Sequence, residues 1–220
     1  MRRILVISPI STPGLGKDLL TYLQTCSDGE SYFDIESLAD GPSSIELLSD
    51  EVTARVGVIE KARQAAGNYD GIVVNCFADP GVLAARAASG LPVVGPGESS
   101  MLLATFVGHK FGVISVLRNS KAWVELQAAA LGVSSRLAYS SGIDLGVLEL
   151  ADDHERTCDL ILAEAEKALD AGAEVIVLGC TGMVRVARAV GERLSVPVIE
   201  PLSAAVRTVE ALVDLRIPLS

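Results

Sequence analysis

The sequence predicts an α/β protein built as two pseudo-symmetric lobes, each with a mostly parallel sheet flanked by helices. Two internal matches carry that expectation. Ile72, Val73 and Val74 lead to Asn75 and Cys76, with Pro92, Val93, Val94, Gly95 and Pro96 following; Val175 to Leu178 lead to Gly179 and Cys180, with Pro197, Val198, Ile199, Glu200 and Pro201 following. Upstream, Ile4 to Ser8 align with Phe111 to Ser115 at nearly the same offset. Matches at one offset point to homologous halves, and short continuous apolar runs point to strands buried on both faces. The N-terminal lobe is expected over 1–96 with 203–220 and the C-terminal lobe over 97–202.

In chain order, residues 3–8 read as a buried strand ended by Pro9. The following loop contains Gly14, Leu15 and Gly16, but Leu19 stands where a dinucleotide-binding fingerprint needs its third glycine, so the loop reads as a turn before a helix over 17–26. Alternation of Tyr32, Phe33 and Ile35 with polar residues predicts a strand over 31–37. A helix over 49–66 carries Val52, Val56, Ile59 and Ala62 at helical spacing, with Asp50 and Glu51 at its positive end. The central strand begins at Gly71 and runs toward Asn75 and Cys76. Asp79 is expected to cap the next helix, with Pro80 at its first position and the helix continuing over 81–89.

A strand over 92–94 and a helix from Pro96 to about Val107 cross into the second half. There, 111–116 reads as a strand, 120–131 as a helix, 136–140 as a strand and 144–150 as extended chain. A helix over 155–171 has Asp152, Asp153 and Glu155 at its amino end. The second central strand is 174–178; Thr181, Gly182 and Met183 lead into a helix to about Leu194, 197–199 is a strand, and 202–215 is a last helix placed to pack back on the first half. Trp123, the only tryptophan, reads as a packing residue.

Composition excludes several classes. The chain has 220 residues, 50% hydrophobic and 21% charged, with a formal net charge of −10, which removes the clustered positive charge that nucleic acid or anionic membrane requires. The apolar stretch after Arg2 and Arg3 is short and interrupted by Ser8 and Pro9, so a first strand is expected rather than a leader. No run approaches a membrane span of about 18 apolar residues, and a cytoplasmic location is expected. Four cysteines without a Cys-x-x-Cys pair, beside His109 and His154 alone, make neither a disulfide framework nor a zinc ligand set. Cys26 and Cys158 read as packing residues.

Cys76 and Cys180 differ from those two because they occupy equivalent points of the duplication, each where a strand gives way to a helix. A helix amino terminus favours thiolate over thiol, and ligands of open α/β sheets gather at strand carboxyl ends. Two such lobes are expected to place the active site in the cleft between them. Paired thiols of similar basicity suit removal of a proton from one face of a carbon and its return to the other. Backbone N–H groups of Phe77, Ala78, Thr181 and Gly182 are candidates to receive the negative charge that develops on a carbonyl oxygen.

The run from Gly179 to Met183, the run from Asn75 to Gly81, and Ile7, Ser8 and Pro9 together resemble the aspartate/glutamate racemase superfamily, specifically its hydantoin and allantoin racemase branch. The resemblance extends over essentially the whole chain. It implies racemisation without a cofactor, Cys76 and Cys180 as the acid/base pair, substrate contacts near Pro9, Ser11, Phe77, Ala78, Ser115, Thr181 and Gly182, no metal, and assembly into homo-oligomers. Phe77 and Ala78 stand where amino-acid racemases usually carry Asn-Thr, which favours a neutral ring over a free amino acid. Ser8, Pro9, Ile10 and Ser11 replace the Asn-Pro-Asn-Thr common among hydantoin racemases. An amino-acid racemase, a maleate isomerase, an arylmalonate decarboxylase and a two-lobed small-molecule binder are the alternatives the same scaffold allows.

Overall fold

Strands and helices alternate along the chain in the computed structural model, which describes residues 1–11 and 16–216. The loop containing Gly14 and Leu15 lies outside the described residues. Contacts divide the chain into one unit of Met1–Pro96 with the segment from Leu202 onward, and a second unit, Gly97–Pro201.

In the first unit, β1 (Arg2–Ser8), β2 (Ser31–Ser37), β3 (Gly71–Val74) and β4 (Val93–Val94) form a parallel sheet in the order β2-β1-β3-β4. Helices α1 (Gly16–Cys26), α2 (Leu48–Ala65) and α3 (Val82–Ser89) also lie in this unit. Every residue of β3 is buried, as is β1 from Ile4 to Ser8, which is why these strands read as unbroken apolar runs.

The second unit repeats this plan. It contains α4 (Pro96–Val107), β5 (Phe111–Ser115), α5 (Ser120–Ala130), β6 (Leu137–Gly142), α6 (His154–Asp170), β7 (Val175–Leu178), α7 (Val184–Arg193) and β8 (Val198–Ile199), with a parallel sheet in the order β6-β5-β7-β8. In both sheets the first strand of the unit and the strand leading to a cysteine lie side by side. Asp153 caps α6 by accepting the Arg156 N–H at 3.0 Å. Arg136 lays its guanidinium on the last carbonyls of α4, bonding Gly108 O at 2.7 Å and Thr105 O at 3.2 Å and also reaching His109 O.

The final helix, α8 (Pro201–Leu215), belongs to the first unit's core from Leu202. Ala205, Val206 and Val209 are fully buried with Ile4, Val6 and Val73; full burial of one such branched side chain is worth about 1.5–3 kcal/mol. A charged cluster fixes the same junction. Arg2 pairs with Asp214 at 2.6 Å and also with Asp28, while the buried Glu210 accepts from the hydroxyls of Ser27 at 2.5 Å and Ser31 at 2.7 Å. Burial of the Arg2 and Glu210 charges is tolerable because both are paired and hydrogen-bonded.

Three local expectations are corrected. Asp79 does not cap α3: its own φ is 53°, and Gly81, at φ 71°, is the residue preceding Val82. Two tight turns, closed by Asp79 N–H to Cys76 O (3.0 Å) and Val82 N–H to Asp79 O (3.3 Å), occupy the segment instead. Gly81 adopts that left-handed backbone without the penalty a side chain would bring. In α2 the buried positions are Ala54, Val58, Ala62 and Ala65 with Glu51, whereas Val52 and Val56 are 51% and 74% exposed; the small alanines let the helix backbone approach its neighbours. The segment expected to be extended over 144–150 contains a 3-10 helix, Val147–Ala151, closed by Glu149 accepting the Gly146 N–H at 2.7 Å. The chain after Cys180 passes through a 3-10 turn, Thr181–Met183, before α7 begins at Val184.

Candidate active site

The chemistry-bearing residues lie where the two β3-like strands end. In the first unit Ile7 and Val74 are in register, and the Asn75 N–H continues the ladder to Ile7 O at 2.8 Å. The Cys76 N–H then reaches back to Val74 O at 2.7 Å, a γ-turn centred on Asn75 that bends the chain out of the sheet. Cys76 is half-buried, followed by buried Phe77 and Ala78. Pro9 is buried directly after β1, and the Ser11 hydroxyl donates to Gly41 O at 2.9 Å.

The second unit builds the same junction more tightly. The Gly179 N–H donates to Ile114 O at 2.7 Å, matching Asn75, and the buried Ser115 hydroxyl donates to Gly179 O at 3.1 Å. Only glycine fits at 179, because a Cβ there would lie 2.9 Å from both Cα and Cβ of Ser115. Cys180, 9% exposed, is the cap of the 3-10 turn, and its sulfur accepts the Gly182 N–H at 3.3 Å. This N–H therefore serves the sulfur rather than standing ready for a developing oxyanion. An N–H aimed at sulfur stabilises negative charge on it, and Thr181 heads the same turn.

The expected residues and their immediate neighbours thus gather in two equivalent clusters. Ser8, Pro9, Asn75, Cys76, Phe77 and Ala78 belong to the first unit, and Ser115, Gly179, Cys180, Thr181 and Gly182 to the second. The two cysteines differ in local setting: Cys180 caps a helical turn directly, whereas the two tight turns separate Cys76 from α3. Ser8, Asn75 and the Ser115–Gly179 bond were not among the expected site features; the signals were the repeat partnership of Ser8 with Ser115 and the Asn75/Gly179 substitution before each cysteine. The remaining thiols sit elsewhere. Cys158 is 2% exposed in the second unit's core, where burial pushes its thiol up from the ordinary value; Cys26 ends α1 and donates to Leu23 O at 3.4 Å. Among the described residues no group of three or more His, Cys, Asp or Glu is placed to hold a metal ion, and no helix is long and apolar enough to cross a membrane.

The Asp/Glu/Hydantoin racemase family model matches residues 4–209. A hydantoin racemase of Paenarthrobacter aurescens is 34% identical over 216 residues, covering 97% of this chain and 92% of its own. The structure of an allantoin racemase from Klebsiella pneumoniae superposes with a TM-score of 0.92 at 33% identity, covering 100% of this chain and 91% of its own. One from Pseudomonas fluorescens gives 0.93 at 26% identity, with 99% and 93% covered.

Proposed function

The chain belongs to the Asp/Glu/hydantoin racemase family, and on that premise we propose that it is a cofactor-independent racemase interconverting the enantiomers of 5-substituted hydantoins or of allantoin, with Cys76 and Cys180 as its two acid/base groups. The observation that carries the reading is the equivalence of the two cysteines, each directly beyond the third strand of a sheet with the same strand order. Hydantoin racemases and allantoin racemases among its relatives support the substrate class.

The step is a proton transfer with no net redox change. One cysteine, as thiolate, takes the C5 proton of the ring; the electron pair of that C–H bond moves onto the flanking carbonyl as an enolate. The other cysteine, as thiol, returns a proton to the opposite face of C5, and the two thiols have then exchanged protonation states. Catalysis in the reverse direction uses the same pair with roles exchanged, which is why two groups of similar character suit it. Backbone N–H groups of Phe77, Ala78 and Thr181 are the proposed donors to the enolate oxygen. Phe77 and Ala78 offer no side-chain cation or amide for a free α-carboxylate, which favours the neutral ring. A cytoplasmic location and assembly into homo-oligomers complete the proposal.

The test is incubation of purified protein with single enantiomers of allantoin, a 5-alkyl hydantoin, a 5-benzyl hydantoin and aspartate in deuterated buffer, following optical rotation and loss of the C–H proton signal. Rotation decaying to zero with deuterium incorporation for a ring substrate is the expected result. Racemisation of aspartate alone, or no exchange with any of the four, overturns the reading.

A further inference from the structure

The two repeated junctions differ in one respect that bears on how a substrate is oriented. In the second unit the serine at the end of the first strand is satisfied internally, Ser115 Oγ donating to Gly179 O at 3.1 Å. Its counterpart Ser8 is 2% exposed, and its Oγ has no hydrogen-bond partner among the described residues. Asn75 Oδ1 is likewise buried and without a partner among the described residues. Ser8 and Asn75 each stand one residue past the in-register pair Ile7 and Val74, and Asn75 immediately precedes Cys76. Orphaned buried polar atoms are costly to keep, since buried polar groups in native proteins are nearly always paired. Gly179, at the position equivalent to Asn75, has no side chain to leave unpaired.

We propose that Ser8 and Asn75 form a polar subsite beside Cys76 that takes the substrate's ring N–H. This rests on the racemase reading above. Asn75 Oδ1 accepts the N–H bonded to C5, the ring atom that must sit beside the Cys76 sulfur, and Ser8 Oγ completes the polar surroundings. A ring nitrogen bearing a methyl group in place of hydrogen leaves Oδ1 unpaired and crowds it. The subsite therefore selects rings with a free N–H next to the stereocentre, and Ser8 and Asn75 are positioning residues for that N–H.

The experiment compares the unsubstituted protein with Ser8→Ala and Asn75→Ala, using 5-benzylhydantoin and its N1-methyl analogue, with KM, kcat and thermal midpoint measured for each protein. The unsubstituted protein is expected to prefer the free N–H ring. Asn75→Ala is expected to raise KM for that ring by about 10- to 100-fold, with a smaller change in kcat, and to erase most of the preference over the N-methyl analogue. Ser8→Ala is expected to raise KM while leaving the thermal midpoint unchanged or higher, because it removes an unpaired buried hydroxyl. An undiminished preference in Asn75→Ala overturns the proposal. So does a lowered midpoint in Ser8→Ala with unaltered KM, which marks the two atoms as partners of a structural water. Failure of the unsubstituted protein to racemise either ring instead overturns the functional reading, and this proposal with it.

Discussion

The Gly182 N–H donates to the Cys180 sulfur across 3.3 Å, so this thiol is held by the first turn of the helical segment that follows its strand. Cys76 is only half-buried, whereas Cys158 is enclosed in the second core. Thiolate character and access govern alkylation. Under native conditions at neutral pH, iodoacetamide is expected to modify Cys76 well before Cys158, and a bound hydantoin to slow modification of Cys76 and Cys180 together. Peptide mapping by mass spectrometry reads this directly; Cys158 reacting as fast as Cys76 contradicts the packing described.

Gly179→Ala tests the close approach of β5 to the end of β7. The added Cβ meets Ser115 backbone and side chain at 2.9 Å, where no flexible tip can yield. A loss of about 1–3 kcal/mol is expected from such overpacking, read by denaturant unfolding, together with reduced activity as Cys180 shifts. Unchanged stability would show that the strand ends are looser than this geometry.

Much of this architecture was legible because its signals are periodic and local. Buried parallel strands such as Ile4 to Ile7 and Phe111 to Ile114 announce themselves as apolar runs, and their recurrence with the two cysteines implied a repeated sheet. Other features depend on contacts that no local pattern encodes. Asp79 and Pro80 carry a helix-start signature, yet the Asp79 side chain rests against Gly95, where an added Cβ would meet its Oδ1 at 2.1 Å, and the backbone turns left-handed instead. On α2 two apolar stripes compete, and the one with alanines packs inward. Ser8 and Ser115 look alike in the sequence; only the position of a neighbouring carbonyl distinguishes a satisfied hydroxyl from an orphan.

Tyr69 provides a pH marker for the first unit. Burial, with its hydrogen bond to Asp34 at 3.0 Å, pushes the phenol up to about 12. Because the folded state holds this proton more tightly than the unfolded chain does, the contribution is fully present below about pH 10 and is lost as pH rises through about 12. Thermal midpoints are expected to fall across that window, and Tyr69→Phe to remove this part of the slope. Identical alkaline profiles for the two proteins would refute the assignment.

Arg136 ties β6 to the carboxyl end of α4 through the carbonyls of Thr105, Gly108 and His109. Charge-assisted bonds at a helix carboxyl end, partly exposed, lead to an expected loss of about 1–2 kcal/mol in Arg136→Gln. Urea unfolding measures it, and a change within error would show the contact to be idle.

The central claim is that both thiols move protons, and single serine variants test it most directly. Serine suits the helix-cap position of residue 180, so Cys180→Ser is expected to fold and its activity to report chemistry. Each of Cys76→Ser and Cys180→Ser, incubated with each enantiomer of the ring substrate in deuterated buffer, is expected to lose racemisation, with at most one-sided exchange of the C5 proton surviving. Racemisation retained by both variants would contradict the two-thiol account.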